Sequence, residues 1–259
     1  MKIAVCIKQV PTREWQPRLN DDKTWVRDQD VSYEMNEPDA YALEEALRLR
    51  EKHGGEVVVC SAGPARVQQV IREALARGAD RALQVEDDGL AAADAFTAAS
   101  ALAPAMAEQK FDLILTGLQS DDQGHAQFGP VLAEKLGIPH STIIMEVNID
   151  PNAGQSGGAL RVKRELEGGW FQYVTMPLPA LLTIQSGINT LRYATLKGIM
   201  AAKKKEITKV AGSSAGGSRQ KIIALYAPQK AKQTVMITGS PADAAKELVK
   251  RLREEARVL

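Results

Sequence analysis

The chain has 259 residues, with 33 Lys and Arg against 32 Asp and Glu, so its formal net charge is +1. This balance argues against bulk electrostatic binding to nucleic acid or to an anionic membrane. Hydrophobic residues make up 44% and charged residues 25%, which is typical of globular rather than disordered chains. No apolar run approaches the roughly 18 residues of a membrane helix, and no secretory signal opens the chain, so we expect a soluble cytoplasmic protein.

Short apolar runs alternate with helical patterns in the first half of the chain. Three nearly continuous apolar runs predict strands that are covered on both faces. They are Ile3–Ile7, Val57–Cys60 and Leu113–Thr116. Apolar spacing predicts helices at Asp39–His53, Val67–Leu75, Asp94–Glu108 and Phe128–Leu136. Because strands alternate with helices, we predict a doubly wound parallel sheet, that is, a Rossmann-like α/β fold.

The pattern changes after about His140, where Gly and Pro separate short strand-like runs. These runs predict antiparallel additions to the sheet. They are Ser141–Ile149, Ala159–Glu165, Phe171–Met176 and Leu181–Ile184. Ser213–Ser218 has the composition of a flexible linker. We therefore predict a main domain at residues 1–212 and a C-terminal arm at residues 213–259, whose helical pattern should dock on this domain or on a partner chain.

The sequence contains no signature of catalysis or metal binding: His-Glu-x-x-His and Cys-x-x-Cys are absent, and no Gly-x-Ser-x-Gly elbow joins a predicted strand to a predicted helix. Cys6 and Cys60 both lie within apolar runs, so we expect buried free thiols rather than a disulfide or metal ligands. Lys203–Lys205 could contact nucleic acid, but no aromatic platform accompanies this run, and an exposed helix end is the simpler interpretation. We expect no catalytic residues and no metal, and whether the chain is an enzyme stays open.

Three segments should meet at the carboxyl edge of the parallel sheet, where open α/β sheets bind ligands. They are Cys6–Gln9, Ser61–Pro64 and Gly117–Gly129. The third leads into a helix whose free N–H groups can receive a phosphate. It contains neither a Walker Gly-Lys-Ser/Thr motif nor a Gly-x-Gly-x-x-Gly fingerprint. The residues alone leave two interpretations open, a phosphate site and a loop capped by its own Asp and Ser side chains.

Longer motifs resemble the electron-transfer flavoprotein β subunit. Val162–Gly169, followed by Pro179–Thr183, is similar to that family's signature, and Leu191–Lys205 is similar to its partner-recognition loop. Further motifs match in the same order, so the resemblance covers almost the whole chain. They are Lys2–Gln9, Met35–Asp39, Gly78–Arg81 and Gly117–Gly129.

The resemblance implies an adenine-nucleotide-binding subunit of a heterodimeric electron carrier. In that family the α subunit mainly holds the redox-active FAD, and the β subunit holds a structural AMP. Electrons would pass from a dehydrogenase, such as the acyl-CoA dehydrogenase of fatty acid β-oxidation, to a quinone oxidoreductase. Carried onto this chain, the implied AMP-binding residues are Cys6, Asn36, Glu37, Pro38, Asp39, Ala62, Gly117, Leu118, Gln119, Ser120, Asp121, Asp122, Gln123, Gly124, His125, Ala126, Gln127 and Phe128.

The resemblance also implies a surface that docks partners. Its implied residues are Arg192, Tyr193, Ala194, Thr195, Leu196, Ile199 and Met200. We expect docking to centre on an exposed Leu196, because one apolar anchor in a partner's pocket often carries much of a transient interface. The alternative is that Leu196 packs into the chain's own core.

Two other interpretations remain open. In the electron-bifurcating branch of the family the β site holds a second FAD, and Ala126–Pro130 resembles that branch. Ser120–Gln123 and the block Ala159–Gly198 are more similar to AMP-holding members, which favours AMP. The alternative from a different class is a stand-alone universal-stress-type nucleotide-binding regulatory domain, in which the block Ala159–Lys205 has no counterpart.

Overall fold

The computed structural model describes residues 1–14, 16–27, 31–149, 160–212, 217–227 and 234–259. The strands are β1 (Lys2–Cys6), β2 (Gln9–Pro11), β3 (Tyr33–Met35), β4 (Glu56–Gly63), β5 (Arg81–Glu86), β6 (Leu113–Gly117), β7 (His140–Ile149), β8 (Leu160–Glu165), β9 (Phe171–Met176), β10 (Ala180–Ile184) and β11 (Ile207–Ala211). The α-helices are α1 (Glu37–His53), α2 (Gln68–Arg77), α3 (Ala95–Ala107), α4 (Phe128–Leu136), α5 (Leu196–Ala202) and α6 (Pro241–Glu254).

Nine of these strands form one sheet in the order β11-β5-β4-β1-β6-β10-β7-β8-β9. Every pair from β11 to β7 is parallel, whereas β8 and β9 are antiparallel to their neighbours. The strand order reverses at β1, which lies between β4 and β6. The prediction of a doubly wound, Rossmann-like α/β sheet is confirmed, and this reversal is the point at which such sheets bind ligands.

Side-chain alternation along the strands divides the core between the two faces of the sheet. Ile3 and Val5 of β1 pack with α1 and α2, whose core residues include Leu43 and Ile71. Ala4 and Cys6 point to the other face. The core residues of α3 and α4 on that face include Leu102, Met106 and Leu132. Both faces of β1 are therefore covered, as its continuous apolar run predicts.

The prediction of antiparallel strands in the second half is correct for β8 and β9, wrong for the run at Leu181–Ile184, and correct on one side only for the run at Ser141–Ile149. The first of these runs is β10, which lies inside the sheet, parallel to both β6 and β7, with all five residues buried. The second is β7, which is parallel to β10 and antiparallel only to β8. The run Ala180–Ile184 is nearly continuous in apolar character, which is typical of a buried parallel strand rather than of a half-exposed antiparallel one.

The predicted C-terminal helix is α6, and all its residues are exposed or partly exposed. Most of the linker predicted at Ser213–Ser218 falls outside the described residues, and Gly217 and Ser218 are its described part. The division into a domain and an arm stays a prediction. Within the described part of the chain, no helix is both long enough and apolar enough to span a membrane.

Candidate functional site

A cleft opens at the carboxyl ends of β1, β4 and β6, between α3 and α4. The cleft is partly open to solvent. Most of the predicted nucleotide residues line it. They are Cys6, Asn36, Asp39, Ala62, Gly117, Leu118, Gln119, Ser120, Gln123, His125, Ala126, Gln127 and Phe128. The predicted sheet-edge segments thus meet at one place, and nucleotide binding by them stays a prediction.

Five of the predicted nucleotide residues do not line the cleft: Glu37, Pro38, Asp121, Asp122 and Gly124. Glu37 and Asp121 both pair with Arg13, a residue near the β2–β3 hairpin. Asp122 accepts a hydrogen bond from Lys8 Nζ at 2.7 Å. These ion pairs stabilise the loop Gly117–Phe128, and a contact of these carboxylates with a ligand stays a prediction.

Asp39 joins the two central strands at the base of the cleft. Its Oδ2 accepts the Lys8 N–H at 2.7 Å, and its Oδ1 accepts the Gly117 N–H at 2.9 Å. Burial raises the pKa of this carboxyl to about 7, and the hydrogen bonds from the two N–H groups and from Asn36 lower it by less. A Cβ at Gly117 would lie 2.4 Å from Asp39 Oδ1, so only glycine permits this close approach.

Asn36 and Lys8 hold the loop that follows β6. The Asn36 side chain, which is buried, donates to the Gln119 carbonyl and accepts the Asp121 N–H, both at 2.9 Å. Lys8 Nζ donates to Ser120 Oγ and to Gln123 Oε1 as well as to Asp122. Because its ammonium is already paired inside the loop, Lys8 stabilises the rim of the cleft.

The floor of the cleft is apolar and unreactive. Cys6 and Cys60 are both buried and unpaired, which confirms the expectation of buried free thiols. Burial raises the pKa of Cys60 to about 12 and the pKa of Cys6 well above its usual value. Thiols of this kind are poor nucleophiles. With Leu102 and Ala98 beside them, they form a surface suited to a flat apolar ring.

The start of α4 forms one end of the cleft. Among the residues that line the cleft, the basic side chains are Lys8 and His125, and Lys8 is already paired. The first N–H groups of a helix have no partner within it, so the N–H group of Phe128 is a donor suited to a phosphate. Among the described residues, no three His, Cys, Asp or Glu side chains cluster as metal ligands. Besides the two thiols, the titratable side chains that line the cleft are Lys8, Asp39, Asp94 and His125, and binding of a nucleotide by this arrangement stays a prediction.

The sequence analysis missed the rim opposite the loop. Residues near the start of α3 form it: Leu90, Ala91, Ala93, Asp94, Ala95 and Ala98. Asp94 caps α3 by accepting the Thr97 N–H at 2.7 Å, and it also accepts the N–H groups of Arg219 and Gln220. The small residues between Leu90 and Asp94 were the available signal, but β5, which leads to them, was not predicted.

The predicted recognition residues fall into two groups. Tyr193, Leu196, Ile199 and Met200 are exposed apolar side chains, with Leu196 83% exposed. The alternative that Leu196 packs into the core is therefore wrong, and its role in docking stays a prediction. Arg192, Ala194 and Thr195 contact their own chain instead: Arg192 pairs with Glu44, Ala194 packs against the core, and Thr195 Oγ1 caps α5 by accepting the Gly198 N–H.

The lysine run after α5 is not uniformly exposed. Lys203 and Lys204 face solvent, but Lys205 Nζ donates to the carbonyls of Leu75 and Ala79 at the end of α2. The interpretation of Lys203–Lys205 as an exposed helix end is therefore wrong for Lys205, whose ammonium stabilises the C-terminus of α2.

Comparison with known proteins points to one family. Residues 24–215 match the family model of the electron transfer flavoprotein domain. The chain is 36% identical to the electron transfer flavoprotein subunit beta of Methylophilus methylotrophus, with 98% of each chain covered. Identity is also 36% to the subunits beta of Thermoanaerobacterium thermosaccharolyticum and Bacillus subtilis, covering 97% and 90% of this chain and 98% and 91% of theirs. The chain belongs to the electron transfer flavoprotein β-subunit family.

Proposed function

We propose that this chain, with a flavin-bearing α subunit, forms a heterodimeric carrier that takes electrons from a dehydrogenase and delivers them to a quinone oxidoreductase. The relatives' shared name, subunit beta, supports the presence of an α partner. FAD held mainly by that partner supplies the redox chemistry. The role of this chain is to complete the carrier and to dock the donor. The family match disfavours a stand-alone universal-stress-type domain.

The cleft at the carboxyl edge of the sheet, at the reversal of strand order, is the observation that carries this proposal. Cys6, Cys60 and Leu102 offer an apolar surface for adenine, and the start of α4 offers N–H groups for one phosphate. AMP fits this donor set as a structural ligand, because its phosphate would satisfy backbone N–H groups that otherwise have no partner. The alternative is a second FAD in the same cleft, as in electron-bifurcating relatives of the family.

The donor side of the proposal involves the exposed apolar segment around Leu196. A cluster of aromatic and aliphatic side chains on the surface is suited to a transient protein interface. The donor would be an acyl-CoA dehydrogenase acting in the cytoplasm. The arm would dock on the α subunit, since Leu248 and Val249 lie half-exposed on one side of α6.

Co-expression with the α chain tests the proposal. The pair should purify as a 1:1 complex with bound flavin, and reduced acyl-CoA dehydrogenase should bleach that flavin. A chain that purifies alone, recruits no flavin-bearing partner and hydrolyses ATP would contradict the proposal. The same preparation without the α chain is the control for flavin bound by this chain alone.

A further inference from the structure

The exposed apolar side chains around Leu196 lie on a segment that is anchored at both ends. A flexible segment would lose conformational freedom when it docks, and this cost would lower affinity. A segment already fixed in its docking conformation avoids that cost. The contacts of residues 189–205 with α1 and α2 therefore bear on docking, even where their side chains do not face the partner.

The first anchor is an ion-pair network on α1. Arg192 Nε donates to Glu44 Oε2 at 2.7 Å, and Arg192 Nη1 donates to Glu51 Oε1 at 2.6 Å. Glu44 is buried, and its Oε2 also accepts the backbone N–H of Arg192 at 3.2 Å. Arg48 pairs with Glu44 from the same helix. All these contacts direct the guanidinium of Arg192 towards α1 rather than towards a docked protein.

The second anchor is the contact between α5 and α2. A Cβ at Gly198 would lie 2.3 Å from the Ala76 carbonyl oxygen, so the two helices touch backbone to backbone. The C-termini of the two helices are also stabilised reciprocally. Arg72 of α2 donates to the carbonyls of Ala202 and Lys205, and Lys205 donates to the Leu75 carbonyl of α2.

We propose that Arg192 and Gly198 are positioning residues that fix the segment Tyr193–Met200 in its docking conformation, while Leu196 makes the contact with the dehydrogenase. This inference rests on the proposed function, and it reassigns Arg192 from a contact residue to an anchor. Arg192→Gln removes both ion pairs and leaves Glu44 paired with Arg48, so the variant should fold. Gly198→Ala leaves every charge in place and tests the second anchor alone.

Cleavage by endoproteinase Lys-C after Lys197, followed by mass spectrometry, measures how often the segment opens, because cleavage requires local unfolding. Arg192→Gln should speed cleavage about tenfold or more, because it removes both charge-assisted pairs. For Gly198→Ala, the direction of the change in cleavage rate tests the contact with α2. If α5 did not pack on α2, alanine would slow cleavage, because alanine is the better helix former. If the two helices touch as described, the clash of the new Cβ with Ala76 should speed cleavage.

Reduction of the heterodimer by acyl-CoA dehydrogenase supplies the second measurement. Arg192→Gln should raise KM for the carrier about tenfold and leave kcat unchanged, since only the ordering of the docking segment is affected. Leu196→Ala should raise KM without changing the cleavage rate. The matched control is Arg27→Gln, which removes an ion pair with Asp21 between β2 and β3 that involves neither α1, α2 nor residues 189–205, and it should change neither quantity.

Two results would overturn the inference. If Arg192→Gln raises KM at an unchanged cleavage rate, Arg192 contacts the partner directly. If it speeds cleavage at an unchanged KM, order in the segment does not contribute to docking. If the wild-type heterodimer accepts no electrons from the dehydrogenase, the proposed function fails, and the cleavage rates alone still show whether Arg192 and Gly198 hold the segment.

Discussion

Replacing Asp39 by Asn tests whether the two hydrogen bonds of this carboxyl stabilise the cleft. Both carboxyl oxygens of Asp39 accept a backbone N–H group, one from Lys8 at the end of β1 and one from Gly117 at the end of β6. An amide has a single oxygen, so in either orientation its NH₂ group faces one of the two N–H donors. The protonated acid does not have this defect, because each of its oxygens keeps a lone pair that can accept.

The expected loss in free energy of unfolding follows from how many of the two backbone N–H groups lose their acceptor. One buried N–H group without a partner costs about 1–3 kcal/mol, and Asp39→Ala, which leaves two such groups, should cost roughly twice as much. Asp112→Asn is the matched control. Asp112 Oδ2 accepts the Lys2 N–H at 2.7 Å at the other end of the same strand, and the side chain is at an exposed site. An asparagine oxygen can keep that bond, so the change should stay within about 0.5 kcal/mol.

Urea unfolding at pH 6, followed by circular dichroism, gives the free energy of unfolding of each variant. AMP titration by calorimetry measures the cleft directly, and Asp39→Asn should weaken binding about tenfold or more, since the loop after Gly117 loses its anchor. If Asp39→Asn is as stable as Asp112→Asn and binds AMP as tightly as the wild type, the reasoning about Asp39 is refuted.

Three other predictions follow from the same contacts. Because burial raises the pKa of Asp39 from 3.8 to about 7, its contribution to stability is complete below about pH 4 and is lost as the pH rises to about 7. The stability gap between wild type and Asp39→Asn should therefore narrow between about pH 4 and pH 7, as measured by urea unfolding. Gly117→Ala should destabilise the domain by about 1–3 kcal/mol, because its Cβ would overlap Asp39 and Pro38. Leu196→Ala should weaken docking of the dehydrogenase by about 2 kcal/mol and leave the flavin spectrum unchanged.

Each of these predictions has a result that contradicts it. A stability gap that widens with pH would show that the folded protein prefers ionised Asp39. A free energy of unfolding for Gly117→Ala within about 0.5 kcal/mol of the wild type would exclude the clash. For Leu196→Ala, loss of the folded heterodimer would place this side chain in an interface or core rather than on a free surface.

The central sheet could be predicted because its strands are covered on both faces. β1, β4 and β6 carry continuous apolar runs, and α1 to α4 have apolar residues at helical spacing. The position of β10 between β6 and β7 could not be predicted, since a five-residue run does not encode its neighbours, although its continuous apolar character indicated a buried parallel strand. β5 was missed because Arg81, Gln84 and Glu86 interrupt its apolar residues, although Gln84 is buried and donates to Glu86.

The candidate site was partly predictable because the carboxyl ends of parallel strands meet at one edge. That rule brought together the loops after β1, β4 and β6 without any structure. The role of Arg192 could not be inferred in this way. Its partner Glu44 lies 148 positions earlier in the chain, and an exposed arginine has the same sequence pattern as a paired one. The rim at Asp94 was likewise missed, because it follows the unpredicted strand β5.

The ligands released from the purified heterodimer test the proposed function, and the structural AMP in particular, most directly. Acid denaturation followed by chromatography measures FAD and AMP against the amount of protein. The proposed function predicts one FAD and one AMP per heterodimer, and Asp39→Ala should lose the AMP while keeping the FAD. Two FAD and no AMP would contradict it and would show a second flavin in the cleft between α3 and α4.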